Sequence, residues 1–145
     1  MTQDLPATPL KLAVLDVEDL EVLSAHLQDA ILKAADIAYL PKERRLAFVC
    51  NRFDWEGALD GERRRRRTGA HFERVLKVQS RDIPKDGEAV LNLLAITFTP
   101  GEAPSGTVEL AFSGGAGLRL HVECIEAAMN DLGPMWSCEA APSHA

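Results

Sequence analysis

Apolar residues alternate with polar ones along most of the chain, and recur at helical spacing in only two stretches. Leu10-Lys11-Leu12-Ala13-Val14-Leu15 reads as an opening strand. Asp16 then offers an N-cap oxygen, and Glu18 and Asp19 suit the positive end of a helix. Leu20, Leu23, Leu27 and Ile31 form one apolar stripe, which predicts a helix over residues 16–31. A short strand over 35–40 closes on Pro41-Lys42-Glu43 as a hairpin turn.

The next strand, 45–55, is apolar on both sides. Leu46, Phe48 and Cys50 line one side; Ala47, Val49, Phe53 and Trp55 line the other. A bulge and two-sided burial both fit. Residues 56–67 read as a loop, with Gly57, Asp60 and Gly61 as turn residues. From Thr68 to about Gln79 a strand places Ala70, Phe72, Leu76 and Val78 on one side, where Arg74 is the exception. Pro84-Lys85-Asp86-Gly87 has turn chemistry. Residues 90–98 form an apolar run, the mark of a well-covered strand, and 107–112 and 118–122 alternate on either side of Gly114-Gly115-Ala116-Gly117. Finally Ile125, Ala128, Met129 and Leu132 predict a helix over 123–132, with Gly133 to cap it and Pro134 to stop it.

Strand, helix, six strands, helix, with hairpin-length connections, predicts a mainly β protein with two helices (α+β). The expected form is an antiparallel curved sheet or partly open barrel capped by the C-terminal helix. That is a pleckstrin-homology or phosphotyrosine-binding-like arrangement, the latter having its helix between the first two strands. A flat antiparallel sheet with both helices on one face is the alternative. Residues 10–133 are expected to form a single globular domain, after a flexible lead-in over 1–9 and before a loose tail over 134–145. A chain of 145 residues can bury roughly 68–70% of its unfolded surface, enough for a core without staples.

Charge alters this picture in one place. The net charge is −6, against general attraction to nucleic acid or anionic lipid. Yet residues 44–81 hold eleven Lys and Arg against five Asp and Glu, while the remainder holds five against seventeen. The centre of the basic segment is Arg63-Arg64-Arg65-Arg66-Arg67. Guanidinium groups bind carboxylate and phosphate bidentately, so the run is a candidate site for an acidic or phosphorylated surface of a partner protein, with Arg52 and Trp55 flanking it. The alternative is a solvated loop whose charges offset Asp54, Glu56, Asp60 and Glu62. Interleaved aromatics are too few for a single-strand nucleic-acid site.

Other chemistry is thin. Cys50, Cys124 and Cys138 are widely spaced, which favours reduced thiols over a disulfide framework. The glycine cluster precedes a strand, so no helix N-terminus awaits a phosphate there. His71 with Glu73 and His121 with Glu123 would offer a metal set only if their strands were neighbours; solvent-facing polar residues are the simpler reading. No G-x-S-x-G or H-E-x-x-H occurs. Cys124, at the expected start of a helix, has the carboxylate of Glu123 opposing a lowered thiol pKa. No catalytic residue, cofactor or metal is expected. No apolar run reaches 18 residues, and the first nine lack the apolar stretch of a signal peptide, so the expected location is the cytoplasm. Oligomeric state is not specified.

Four stretches add a resemblance. Asn51-Arg52-Phe53-Asp54-Trp55-Glu56, the arginine run, Val90-Leu91-Asn92-Leu93-Leu94-Ala95-Ile96 and Val122-Glu123-Cys124-Ile125-Glu126 resemble landmarks of a bacterial family catalogued as domain of unknown function 2948. The resemblance spans about residues 10–136 and implies a bacterial cytosolic protein without implying an activity. The residues themselves point to a non-catalytic binding or scaffold module for a partner protein. The competing class is a small anionic-ligand sensor or an unrecognised enzyme using the arginines and His71.

Overall fold

Ten strands and two α-helices follow in the order β1 (Lys11–Val14), α1 (Val17–Leu27), β2 (Ile31–Lys33), β3 (Ile37–Leu40), β4 (Arg45–Phe53), α2 (Trp55–Ala58), β5 (Arg64–Phe72), β6 (Val75–Arg81), β7 (Val90–Pro100), β8 (Gly106–Phe112), β9 (Gly117–Val122) and β10 (Ala127–Ser137). They belong to a computed structural model that describes residues 9–137 apart from 60 and 62. Residues 1–8 of the lead-in expected over 1–9, the tail beyond 137 with Cys138, and the turn and counter-charge roles of Asp60 and Glu62 lie outside the described residues.

All strand pairs are antiparallel, in the order β1-β10-β5-β4-β2-β7-β8-β9-β6, with β3 beside β4. β7 is where the sheet bends. Its first residues pair with β2, its later ones with β8, and a bulge between Leu93 and Ala95 separates the two registers. One half therefore holds β1, β10, β5, β4 and β2, the other β8, β9 and β6, and side chains from both fill one core. The N–H of Val75 at the start of β6 donates to Arg44 O (2.8 Å), bringing the far edge back to the start of β4. The sheet curls without closing, and β1 and β6 remain edges.

α1 covers the open side. Asp16 accepts from Asp19 N (2.8 Å) as its N-cap, and Leu20, Leu23 and Leu27 are buried against β7, β1 and β4. Burying each of these leucines contributes about 1.5–3 kcal/mol. Ser24 Oγ accepts from Ile96 N (2.9 Å) beside the β7 bulge, satisfying a donor the irregular ladder leaves over. The helix ends at Leu27, earlier than expected. Asp29 takes φ 65°, and the chain re-enters the sheet through Asp29 N to Leu93 O (2.7 Å) and Leu93 N to Ala30 O (2.9 Å). Ile31 continued the helical stripe only by coincidence of spacing; it is the first residue of β2.

The C-terminal helix is the largest correction. Residues 127–137 form strand β10, and 123–126 are irregular. Ile125, Ala127 and Met129 are buried while Ala128 and Asn130 are half-buried, a period of two. Gly133 and Pro134 neither cap nor stop a helix. They lie in a bulge, where residues 132–134 stand opposite Arg67 between the pairs Asp131–Thr68 and Met135–Arg66. Strands tolerate proline at bulges because no ladder donor is needed there. Residues 134–137, expected as part of a loose tail, lie in β10, and the barrel-capping role expected of the last helix falls to α1. The ground for a pleckstrin-like C-terminal cap goes with it.

Three further differences concern the basic segment. The expected loop over 56–67 contains α2 and the start of β5: Arg64 to Arg67 are strand residues. The expected strand over 68–79 is two strands, β5 and β6, separated by Arg74 in the left-handed region (φ 60°), which explains why Arg74 broke the apolar side. In β4 the inward side carries Leu46, Phe48, Cys50 and Arg52, and Phe53 is buried as well, so its end is covered on both sides.

Candidate functional site

The inward faces of β4, β5 and β10 begin in the apolar core and end in charge. Leu46, Phe48 and Cys50 lead to Arg52; Phe72, Ala70 and Thr68 lead to Arg66; Ala127 and Met129 lead to Asp131. Register sets these ends side by side, with Arg52 opposite Arg66 and Thr68 opposite Asp131.

Asp131 is the hub, its side chain fully buried. Arg52 donates to both of its oxygens, Nε to Oδ1 and Nη2 to Oδ2, each 2.8 Å. Thr68 Oγ1 donates to Oδ1 (2.8 Å) and Leu10 N to Oδ2 (2.7 Å), while Arg66 Nε stands 3.7 Å from Oδ2. Burial alone would raise the Asp131 pKa. The hydrogen bonds from Arg52, Leu10 and Thr68 and the Arg52 charge more than offset that, and hold the carboxyl below the usual range. A carboxylate with both oxygens occupied in this way makes a poor proton acceptor for chemistry. Its effect is to tie β1, β4, β5 and β10 together at one end of the sheet.

The surroundings extend this end of the molecule. Half-buried His26, at the end of α1, is held below its ordinary pKa, first by burial and then by the Arg52 charge. Trp55 Nε1 donates to Gln28 O (3.0 Å), and its ring meets Phe53 edge-on at 4.7 Å between centroids. Asp54 is buried and accepts from Gly57 N (3.1 Å) as the cap of α2.

The arginine run is therefore divided by the two faces of a strand. Arg66 is buried toward Asp131. Arg65 points outward but folds over Phe53, 5.8 Å from its ring centroid, and donates through Nη1 to Asp29 O (3.2 Å) and Asn51 O (3.0 Å). Arg64 is half-buried, and Arg63 and Arg67 are exposed, with Arg67 Nη1 on Asn51 Oδ1 at 3.3 Å. Of the two residues expected to flank a binding loop, Arg52 is buried, and Trp55 is half-buried with its indole N–H on Gln28 O. The residue missed from sequence is Asp131. Carrying the period-two pattern out from Met129 would have found it.

The two His-Glu pairs do not meet, because β5 and β9 are not neighbours. Glu73 Oε2 holds His71 Nδ1 and Arg45 Nε, each at 2.7 Å; His121 Nε2 lies 2.8 Å from Gln79 Oε1; Glu123 pairs with Arg44 at 2.7 Å. Among the described residues no cluster of His, Cys, Asp or Glu suits a metal ion, and no helix is long and apolar enough to cross a membrane.

Cys50 follows from its place on the inward face of β4. Burial pushes its thiol up to about 12, so almost no thiolate forms near pH 8. Brief alkylation of native protein should leave Cys50 unmodified while marking half-buried Cys124, as read by peptide mass mapping; Cys50 should react after denaturation. Rapid native labelling of Cys50 would mean that β4 opens locally.

Neither the curated proteins nor the solved structures contain a match to this chain. The family described as "protein of unknown function (DUF2948)" matches residues 10–144. The four stretches that suggested it fall on β4 with the start of α2, on β5, on β7 and on the turn from β9 to β10, so two of the four carry Arg52 and Arg66 of the Asp131 cluster. The match covers nearly the whole chain, and the protein belongs to this family of unknown function.

Proposed function

We propose that this protein is a non-catalytic docking module that takes an acidic segment of a partner protein on the outer face of β5 and β10. One observation carries the reading: Leu132 and Trp136 stand 57% and 42% exposed on either side of exposed Arg67. Leu132 lies over Gly69, whose missing side chain makes room for it; a Cβ there would come within 3.2 Å of Leu132 Cδ1. Trp136 stands opposite Arg65, at the next outward position. Exposed tryptophan beside arginine matches the composition of binding hot spots, and Leu132 adds apolar contact area next to them.

Charge supports an acidic occupant. Exposed Arg67 and half-buried Arg64 and Arg65 make this face basic in an otherwise acidic chain, so an acidic partner is drawn to it. The internal ion pairs of Arg52 and Arg66 support a scaffold more than a site that binds and releases anions. The phosphotyrosine-binding comparison, where a helix also follows the first strand, is kept as an analogy for α1 alone.

The test is site-specific photocrosslinking in the cytosol of a bacterial host, with a photoreactive phenylalanine at position 132. A discrete crosslinked species is expected, lost when Arg67→Glu is added and absent when the same group stands at exposed Leu59. Equal products from positions 132 and 59, or products indifferent to the Arg67 change, would end the proposal. Partner loss on phosphatase treatment would assign the acidic groups to phosphate.

A further inference from the structure

The other half of the sheet carries a concavity unrelated to the arginine run. Across β6, β9 and β8 a trough of about 230 Å³ is lined by Gln79, Ser80, Arg81, Glu109, Ala111 and Gly117, with Arg119 along one side. Its origin is a row of small residues. Arg81 pairs with Gly117 and Gly117 with Ala111, so β9 beside β6, and β8 beyond it, have almost no side-chain height there. The next row, Gln79-Arg119-Glu109, is tall and forms a wall. A Cβ at Gly117 would come within 3.2 Å of Leu110 O and 3.7 Å of Arg81 Nη2, so even alanine would press on the floor.

The polar groups around this floor are mostly donors with capacity to spare. Arg81 uses Nε on Gly115 O (3.0 Å), which fixes its guanidinium at the rim and leaves its two terminal nitrogens unspent among the described residues. Arg119 stands 3.7 Å from Glu109 Oε1, too far for a hydrogen bond, and makes no other among the described residues. Gln79 accepts from or faces His121 through Oε1 and keeps its amide N–H groups. Two guanidinium forks and an amide thus face one carboxylate, that of Glu109.

We propose that this trough binds a small organic oxyanion, a carboxylate or phosphate group held between Arg81 and Arg119, with Gln79 as a third donor. The planar forks match either group, and both sources share that chemistry. The site is independent of the docking face, since it lies on β6, β8 and β9 and uses none of its residues.

The experiment is an NMR titration of the full chain with inorganic phosphate and, separately, succinate, with sodium chloride at matched ionic strength as the control. Amide signals of Arg81, Ala111, Gly117 and Arg119 should move together and saturate with at least one probe; whichever saturates at lower concentration identifies the group preferred. Arg81→Gln with Arg119→Gln should weaken binding at least about tenfold, the loss expected of charge-assisted hydrogen bonds. Ala111→Phe, which fills the floor from an exposed strand position, should abolish it with an otherwise unchanged spectrum. Lys85→Gln, an exposed charge outside the trough, should change nothing. Shifts that do not saturate, that chloride reproduces, or that survive the double arginine change would overturn the site.

Discussion

Asp131→Ala should destabilise the protein by about 3–5 kcal/mol, the range for removing one partner of a buried ion pair. The substitution deletes the acceptor of four hydrogen bonds, from Arg52 Nε, Arg52 Nη2, Thr68 Oγ1 and Leu10 N, and leaves two buried guanidinium groups facing each other. Asp131→Asn keeps the size, loses the charge and turns a donor toward Arg52, so it should be nearly as harmful. Urea unfolding followed by far-UV circular dichroism measures both. A pH series adds a second readout. The folded carboxyl titrates below its unfolded value of 3.8, so its contribution is fully present above that pH and is lost as pH falls through the folded pKa. Wild-type stability should therefore fall steeply below about pH 4, and the Asn variant should show a shallower acid limb. Equal slopes would mean that the carboxyl titrates no lower folded than unfolded.

The same cluster explains which parts of the fold were legible in the sequence. α1, β7, β8 and β9 were readable because their buried positions are apolar throughout: Leu20, Leu23 and Leu27 in the helix, Leu91, Leu93 and Ile96 in β7, Val108, Leu110 and Phe112 in β8, Leu118, Leu120 and Val122 in β9. β5 was misread at its start, where the inward position is Arg66; β10 was read as a helix, with Asp131 as one of its polar positions; and β4 was expected with Arg52 inside it but assigned to neither face. A charged residue there reads as the end of a strand or as solvent. Each charge is tolerated inside only because the other strands supply its partners, and no single segment records that pairing. Hence the arginine run looked like a loop. The bend at Arg74 was hidden for a different reason, since a left-handed arginine has no sequence signature comparable to glycine's. The trough on β6, β8 and β9 depends on cross-strand register, which sets Gly117 beside Ala111 and Arg119 beside Glu109.

Helix and strand make opposite forecasts for two residues of β10. In a helix over 123–132, Met129 and Leu132 lie on one face and would be buried together. In the strand, Met129 is fully buried between the two halves of the sheet, while Leu132 is 57% exposed over Gly69. Met129→Ala should therefore cost about 2–5 kcal/mol, the usual range for truncating a buried large side chain. The cost should fall toward the upper end, because Met129 sits opposite both Leu12 of β1 and Ala70 of β5, and these ladders hold the cavity lining in place. Leu132→Ala should change stability by no more than about 0.5 kcal/mol, as expected of an exposed position. With the photoreactive phenylalanine placed at exposed position 136 instead of 132, the same substitution should weaken crosslinking to the partner, which separates its binding role from any role in the fold. Thermal or urea unfolding of the two single variants decides the matter. Comparable losses at both positions would restore a helical, core-facing segment and sink β10 together with the interface built on it.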